Sequence, residues 1–220
     1  MNSTLGRKLT DGLLARLDFD YACNRGHSFG EYHLHGVVNE VISANIDPKM
    51  MRVHANFAHS AIARKDPERG RHPELDFYIQ SRDGTAPSVC AEVKWAGSSH
   101  ASAKRVLLDV IRLALVKQSE PSTECLFILA GGNAELRKLL LVPPLATEQR
   151  GSRGLLERPR ATKDPRKRSF PLVAAGVPIT IIDKEAQEFL TMPNKVSTTL
   201  VTPAAFDTKR WQSLVWRVSV

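Results

Sequence analysis

The stretch HASAKRVLLDVIRLALVKQ (100–118), followed across Glu120-Pro121 by CLFILAGG (125–132), constrains this chain most. Beyond its first turn the first segment is apolar around most of a helix, interrupted by Asp109 and Arg112, so it has to be covered on nearly all sides. The second is a continuous apolar run, the pattern of a strand buried on both faces. A strand, a long helix and a second buried strand in that order imply a parallel crossover. An α/β domain with a mixed sheet flanked by helices is therefore predicted.

The remaining segments fit that class. Leu5, Leu9, Leu13, Leu14 and Leu17 recur at helical spacing over 5–18. Ser28 and Glu31 have the spacing of a capping box, and Leu34, Val37, Val38, Val41 and Ile42 then mark one helical face until Asp47-Pro48. MRVHANFAH (51–59) reads as a strand, and two strands flank the turn RDGTAP. After Gly131-Gly132, read as a turn, NAELRKLLLV forms a short helix ending at Pro143-Pro144. VPITIID (177–183), VSTTLVT (196–202) and SLVWRVSV (213–220) read as a C-terminal β extension, with Trp216 on an apolar strand face. The expected division of the single domain is a core at about 28–142, a basic flexible loop at about 145–172 and the extension at about 175–220.

Length and composition agree: 220 residues, 42% apolar and 25% charged, suffice for a real core. No apolar stretch approaches the roughly 18 to 20 residues of a membrane span, and MNSTLGRKLTDG lacks an apolar signal core, so a cytoplasmic protein without a membrane partner is expected. Cys23, Cys90 and Cys125 are too few and too scattered for a disulfide framework and are expected to be small buried hydrophobes. The net charge of +8 favours a polyanionic partner, nucleic acid first. Arg158, Arg160, Lys163, Arg166, Lys167 and Arg168 concentrate that charge and are candidates for sequence-independent phosphate contacts.

The hairpin PELDFYIQSRDGTAPSVCAEVKWAG (73–97) carries the candidate chemistry. Leu75, Phe77 and Ile79 share one face of its first strand, and Val89, Ala91, Val93 and Trp95 one face of its second, which leaves Asp76, Glu92 and Lys94 on the opposite faces. A turn symmetric about Gly84 sets Asp76 directly across from Glu92. Opposed like charges destabilise a strand pair, so positive charge is expected between them, part from Lys94 and part from a hard divalent cation that prefers oxygen ligands. The plain alternative is a set of ordinary polar residues on a wet sheet face.

Asp76 on one strand and Glu92-Val93-Lys94 on the next, followed by a long helix and a buried strand, resembles the PD-(D/E)XK nuclease superfamily with its restriction-endonuclease-like fold, over about residues 30–131. The resemblance implies a Mg²⁺-dependent (endo)deoxyribonuclease, Mn²⁺ substituting, with Asp76 and Glu92 as metal ligands and Lys94 as the catalytic lysine that orients the attacking water or stabilises transition-state charge. A carboxylate from the first core helix often joins these. Glu31 is preferred and Glu40 is the rival, while as the partner of Ser28 in a capping box Glu31 needs no metal. The literal Pro-Asp dipeptide is absent, since Pro73 is separated from Asp76 by Glu74-Leu75, and Glu74 is a second choice for the aspartate role. By analogy with enzymes that cut both strands of a duplex, a homodimer is one arrangement open to the chain. The alternative function is a catalytically inactive nucleic-acid-binding or assembly module of the same fold.

Other signals compete less well. Cys23, His27, His33 and His35 have a composition zinc accepts but a poor spacing for it. His35, one turn after Glu31, is placed to brace that carboxylate. Asp109 and Arg112, at i,i+3 spacing, read as an internal ion pair or as polar groups reaching a bound backbone.

Overall fold

The structure, a computed structural model, describes residues 4–64, 66, 68, 71–143, 145, 154–156, 167–172, 193–201 and 210–220. Among these, helices α1 (Thr4–Ala22), α2 (Glu31–Ser43), α3 (Ala103–Ser119) and α4 (Asn133–Leu140) accompany strands β1 (Met51–Phe57), β2 (Leu75–Ser81), β3 (Val89–Trp95), β4 (Glu124–Gly132), β5 (Arg168–Pro171), β6 (Lys195–Leu200) and β7 (Trp211–Ser219). All seven strands form one mixed sheet in the order β1-β2-β3-β4-β7-β6-β5. Only β3 and β4 run parallel, joined through α3 as the crossover pattern requires. The other neighbours are antiparallel.

Strand β4 shows why its run is continuously apolar. Phe127 and Leu129 enter the core layer beneath α3, whereas Leu126 and Ile128 enter the layer beneath α1 and α2. The α3 layer also holds Tyr78, Cys90, Val106, Val110, Ala114 and Trp216, and the opposite layer holds Leu9, Leu13, Val38, Phe77, Val93 and Val215. Nearly the whole surface of α3 from Val106 to Val116 is buried, including Asp109. No helix among the described residues is long and apolar enough to cross a membrane.

Several local expectations are corrected. The capping box does not form: Gly30 is the N-cap of α2, and the Ser28 hydroxyl, in a preceding 3-10 turn, donates to Arg25 O at 2.8 Å. Glu31 thus becomes the first helical residue, its carboxylate free to point elsewhere. Strand β1 ends at Phe57, because His59 Nδ1 accepts from Ala61 N at 3.1 Å and caps a 3-10 turn. Gly131 and Gly132 are the end of β4, paired with Gln212 and Trp211, and make no turn. Gly131 has φ +157°, and a Cβ there would stand 2.9 Å from Ala96 Cβ, so only glycine lets the chain after β3 pass this closely. Cys90 and Cys125 are buried, but Cys23 is exposed.

The basic segment is not wholly a loop. Arg168 opens β5, and Leu145, Leu155, Leu156 and Leu172 are buried in the α3 layer, since apolar residues interleaved among the charges find the sheet. Arg158, Arg160, Lys163 and Arg166, and the strand expected at 177–183, lie outside the described residues.

Candidate active site

The hairpin adopts the symmetric register. Phe77 pairs with Ala91, Tyr78 with Cys90 and Ile79 with Val89. Both ladders of β2 then lapse at Asp76: β1 pairs through Ala55↔Phe77 and Phe57↔Leu75 but not between them, and the β2–β3 pairing stops at Phe77. A side chain takes over. Val93 N donates to Asp76 Oδ2 at 2.7 Å. On the other side of the lapse Asn56 has φ 51°, the left-handed region that asparagine tolerates better than most residues.

This end of the hairpin is not a wet sheet face, because α3 covers it. Glu92 is 1% exposed and Asp109, which reaches it from α3, is 2% exposed. Arg112 Nη1 lies 3.3 Å from Glu92 Oε1 and 2.9 Å from Asp109 Oδ1. Lys94 Nζ lies 3.1 Å from Glu31 Oε1 and 3.3 Å from Asp109 Oδ2. His35 Nε2 stands 3.8 Å from Asp76 Oδ2. One row thus joins β2, β3, α2 and α3.

The row is short of positive charge. With all four carboxyls ionised, Glu31, Asp76, Glu92 and Asp109 would outnumber the two cations, Lys94 and Arg112, by two negative charges. Burial, then the charges of Asp76 and Asp109, push the Glu92 carboxyl well above the usual carboxylate range, against the pull of Arg112 and Lys94. Burial likewise raises Asp109, although Arg112 and Lys94 oppose it. Burial alone lowers the Lys94 ammonium, but Asp109, Asp76, Glu31 and Glu92 outweigh it and hold the lysine above its ordinary range. Lys94 is therefore a fixed cation at neutral pH. An ammonium held protonated can donate hydrogen bonds and attract anions, but it has no lone pair with which to act as a base.

This donor set fits a hard divalent cation. Asp109 Oδ2 is buried at 3.3 Å from Lys94 Nζ, too poorly aligned for a full hydrogen bond, and a divalent ion would balance the two negative charges that full ionisation of the row would leave. Among the described residues no three His, Cys, Asp or Glu side chains converge closely enough to hold a metal by themselves. Mg²⁺ does not require that, since it commonly takes one or two carboxylates and completes its shell with water and substrate phosphate. A cleft of about 1,010 Å³ opens beside the row and reaches Lys94, Glu31 and His35.

The structure brings together Asp76, Glu92, Lys94 and Glu31, and separates the rivals. Glu40 pairs with Arg16 at 2.9 Å, and Glu74 pairs with Arg71 at 2.5 Å. His35 approaches Asp76 and not Glu31 as expected. His33 turns to Asp20 at 3.3 Å and stacks on Phe29. Asp109 and Arg112 do form the expected i,i+3 pair, but sequence reasoning left them out of the site that they complete. Of the basic candidates, Lys167 is exposed and Arg168 half-buried.

No family model, curated protein or solved structure matches this chain.

Proposed function

We propose that the protein is a Mg²⁺-dependent nuclease of the PD-(D/E)XK type that hydrolyses phosphodiester bonds of DNA. The carrying observation is that Asp76 and Glu92-Val93-Lys94 meet across adjacent strands in a row with more negative than positive charge. Asp76 and Glu92 would hold the metal, with Glu31 nearby on Lys94. A Mg²⁺ ion held there would supply Lewis-acid polarisation of a phosphoryl oxygen and a water of lowered pKa. Hydrolysis places a water oxygen on phosphorus and breaks one P–O ester bond, the departing oxygen taking up a proton.

The chain's own groups have distinct tasks. Lys94, held protonated and reaching the cleft, donates to the water or to a phosphoryl oxygen as charge builds there. Asp109 positions Lys94, and Arg112 holds Glu92 and Asp109 together. The net charge of +8 favours approach of a polyanion.

A second reading, a catalytically inactive nucleic-acid-binding or assembly module, is favoured by the same ion pairs, since Lys94 and Arg112 are each engaged by two carboxylates. Incubation with plasmid and single-stranded DNA separates the two. The nuclease reading expects cleavage that needs Mg²⁺ or Mn²⁺ and falls at least about 100-fold in Asp76→Ala and Lys94→Ala; cleavage retained by either variant, or none by the wild type, contradicts it.

A further inference from the structure

The cleft beside Lys94 is built from the start of α2, the end of β1, the end of β3 and the turn that leads into α3. Tyr32, in the first turn of α2, lines it and is 97% exposed, the most exposed large apolar side chain among the described residues. At that exposure the ring buries almost none of its surface in the fold. Asn39 and Asn56 supply neutral hydrogen-bonding groups along the same wall, and His100 and Arg105 supply basic ones on the α3 side. Arg105 Nη1 donates to His100 Nδ1, so the guanidinium carries the positive charge here and the imidazole adds its remaining N–H as a donor.

The reacting row lies at the back of this cleft. Glu31 and Lys94 line it, whereas Glu92 and Asp109 are almost wholly buried behind Lys94. A duplex presents its phosphates on a stiff cylinder with its bases stacked inside, which leaves no base for Tyr32. A single strand bends into a cleft, turns its bases onto aromatic faces and lays its phosphates along basic groups.

We propose that the cleft binds single-stranded DNA, with one base stacked on Tyr32 and the adjoining phosphates on Arg105 and His100, so that a phosphodiester is delivered to Lys94. This names the substrate class of the site described above, and it rests on that reading only for the fate of the delivered phosphodiester.

The test is fluorescence anisotropy on the full chain in EDTA, with a labelled 12-nucleotide mixed-sequence DNA, the blunt duplex of the same sequence and the matching RNA. Single-stranded DNA is expected to bind at least about tenfold tighter than the duplex and no more weakly than RNA. Tyr32→Ala is expected to weaken single-strand binding by roughly 5- to 150-fold, leaving duplex binding unchanged, and Tyr32→Phe to restore it. Equal or tighter duplex binding, tighter RNA binding, or an unaffected Tyr32→Ala overturns the proposal. Because no metal is present, a protein that prefers single strands but never cleaves contradicts the nuclease and leaves this surface standing; one that cleaves duplex without single-strand preference does the reverse.

Discussion

Asp76 Oδ2 accepts a 2.7 Å hydrogen bond from Val93 N at the point where the backbone ladder between β2 and β3 ends. The carboxylate therefore has two tasks, closing the sheet and charging the site, and substitution separates them. Asp76→Asn keeps an acceptor for Val93 N and relieves the repulsion of Glu92, so urea unfolding at pH 8 should find it at least as stable as the wild type. Asp76→Ala leaves a part-buried N–H without its partner and should be less stable than Asp76→Asn by about 1–2 kcal/mol. Neither should cleave DNA.

Glu92 gives the pH dependence a definite sign. Its folded-state pKa stands above that of the unfolded chain, because burial and the Asp76 and Asp109 charges disfavour the anion. Between the ordinary glutamate range and that raised value the folded state holds the extra proton, so stability declines as pH rises through this window. Glu92→Gln removes the titration and should be more stable than the wild type at pH 8, with the gain vanishing near pH 4. Thermal unfolding across that range checks it, and Mg²⁺ should stabilise the wild type at pH 8 but not this variant.

How much of this was legible in the sequence depended on the range over which each feature is decided. The register that brings Asp76 toward Glu92 follows from local turn symmetry about Gly84, and the strand, α3, strand crossover follows from apolar patterning. The site's fourth carboxylate was not legible. Asp109 and Arg112 read as an internal helix pair or as groups reaching a bound backbone, and neither reading sets them against Lys94 and Glu92, which α3 laid over β3 does. Glu31 misled in the other direction: its spacing from Ser28 fits a capping box, but the chain enters α2 at Gly30 and the carboxylate goes to Lys94. The burial of Leu155 and Leu156 within a charged segment was hidden by the arginines around them.

Asp83 tests the hairpin turn independently of the candidate site. Hydrogen bonds from the Ser81 hydroxyl at 2.5 Å and from the Thr85 hydroxyl and amide at 2.7 and 3.0 Å hold its carboxyl down at about 2. The stabilisation it confers is present above the ordinary aspartate range and is lost as pH falls toward 2. A carboxyl-detected NMR titration should place the midpoint near that value, and Ser81→Ala should move it up.

The basic segment should act through phosphates. Replacing Arg166, Lys167 and Arg168 with alanine should reduce the slope of log K against log salt by about 0.7 to 0.9 for each phosphate contact removed, with little change in sequence preference. Binding titrations at several salt concentrations read this directly, and an unchanged slope removes the segment from the interface.

Soaking crystals of the wild-type chain in Mn²⁺ and collecting anomalous data tests the central claim most directly. The account predicts a manganese peak bridging Asp76 and Glu92, at about 2 Å from a carboxylate oxygen of each, and its loss in Asp76→Asn. No peak there at high manganese, with Glu92 still closed on Arg112 and Lys94 on Asp109, would contradict it.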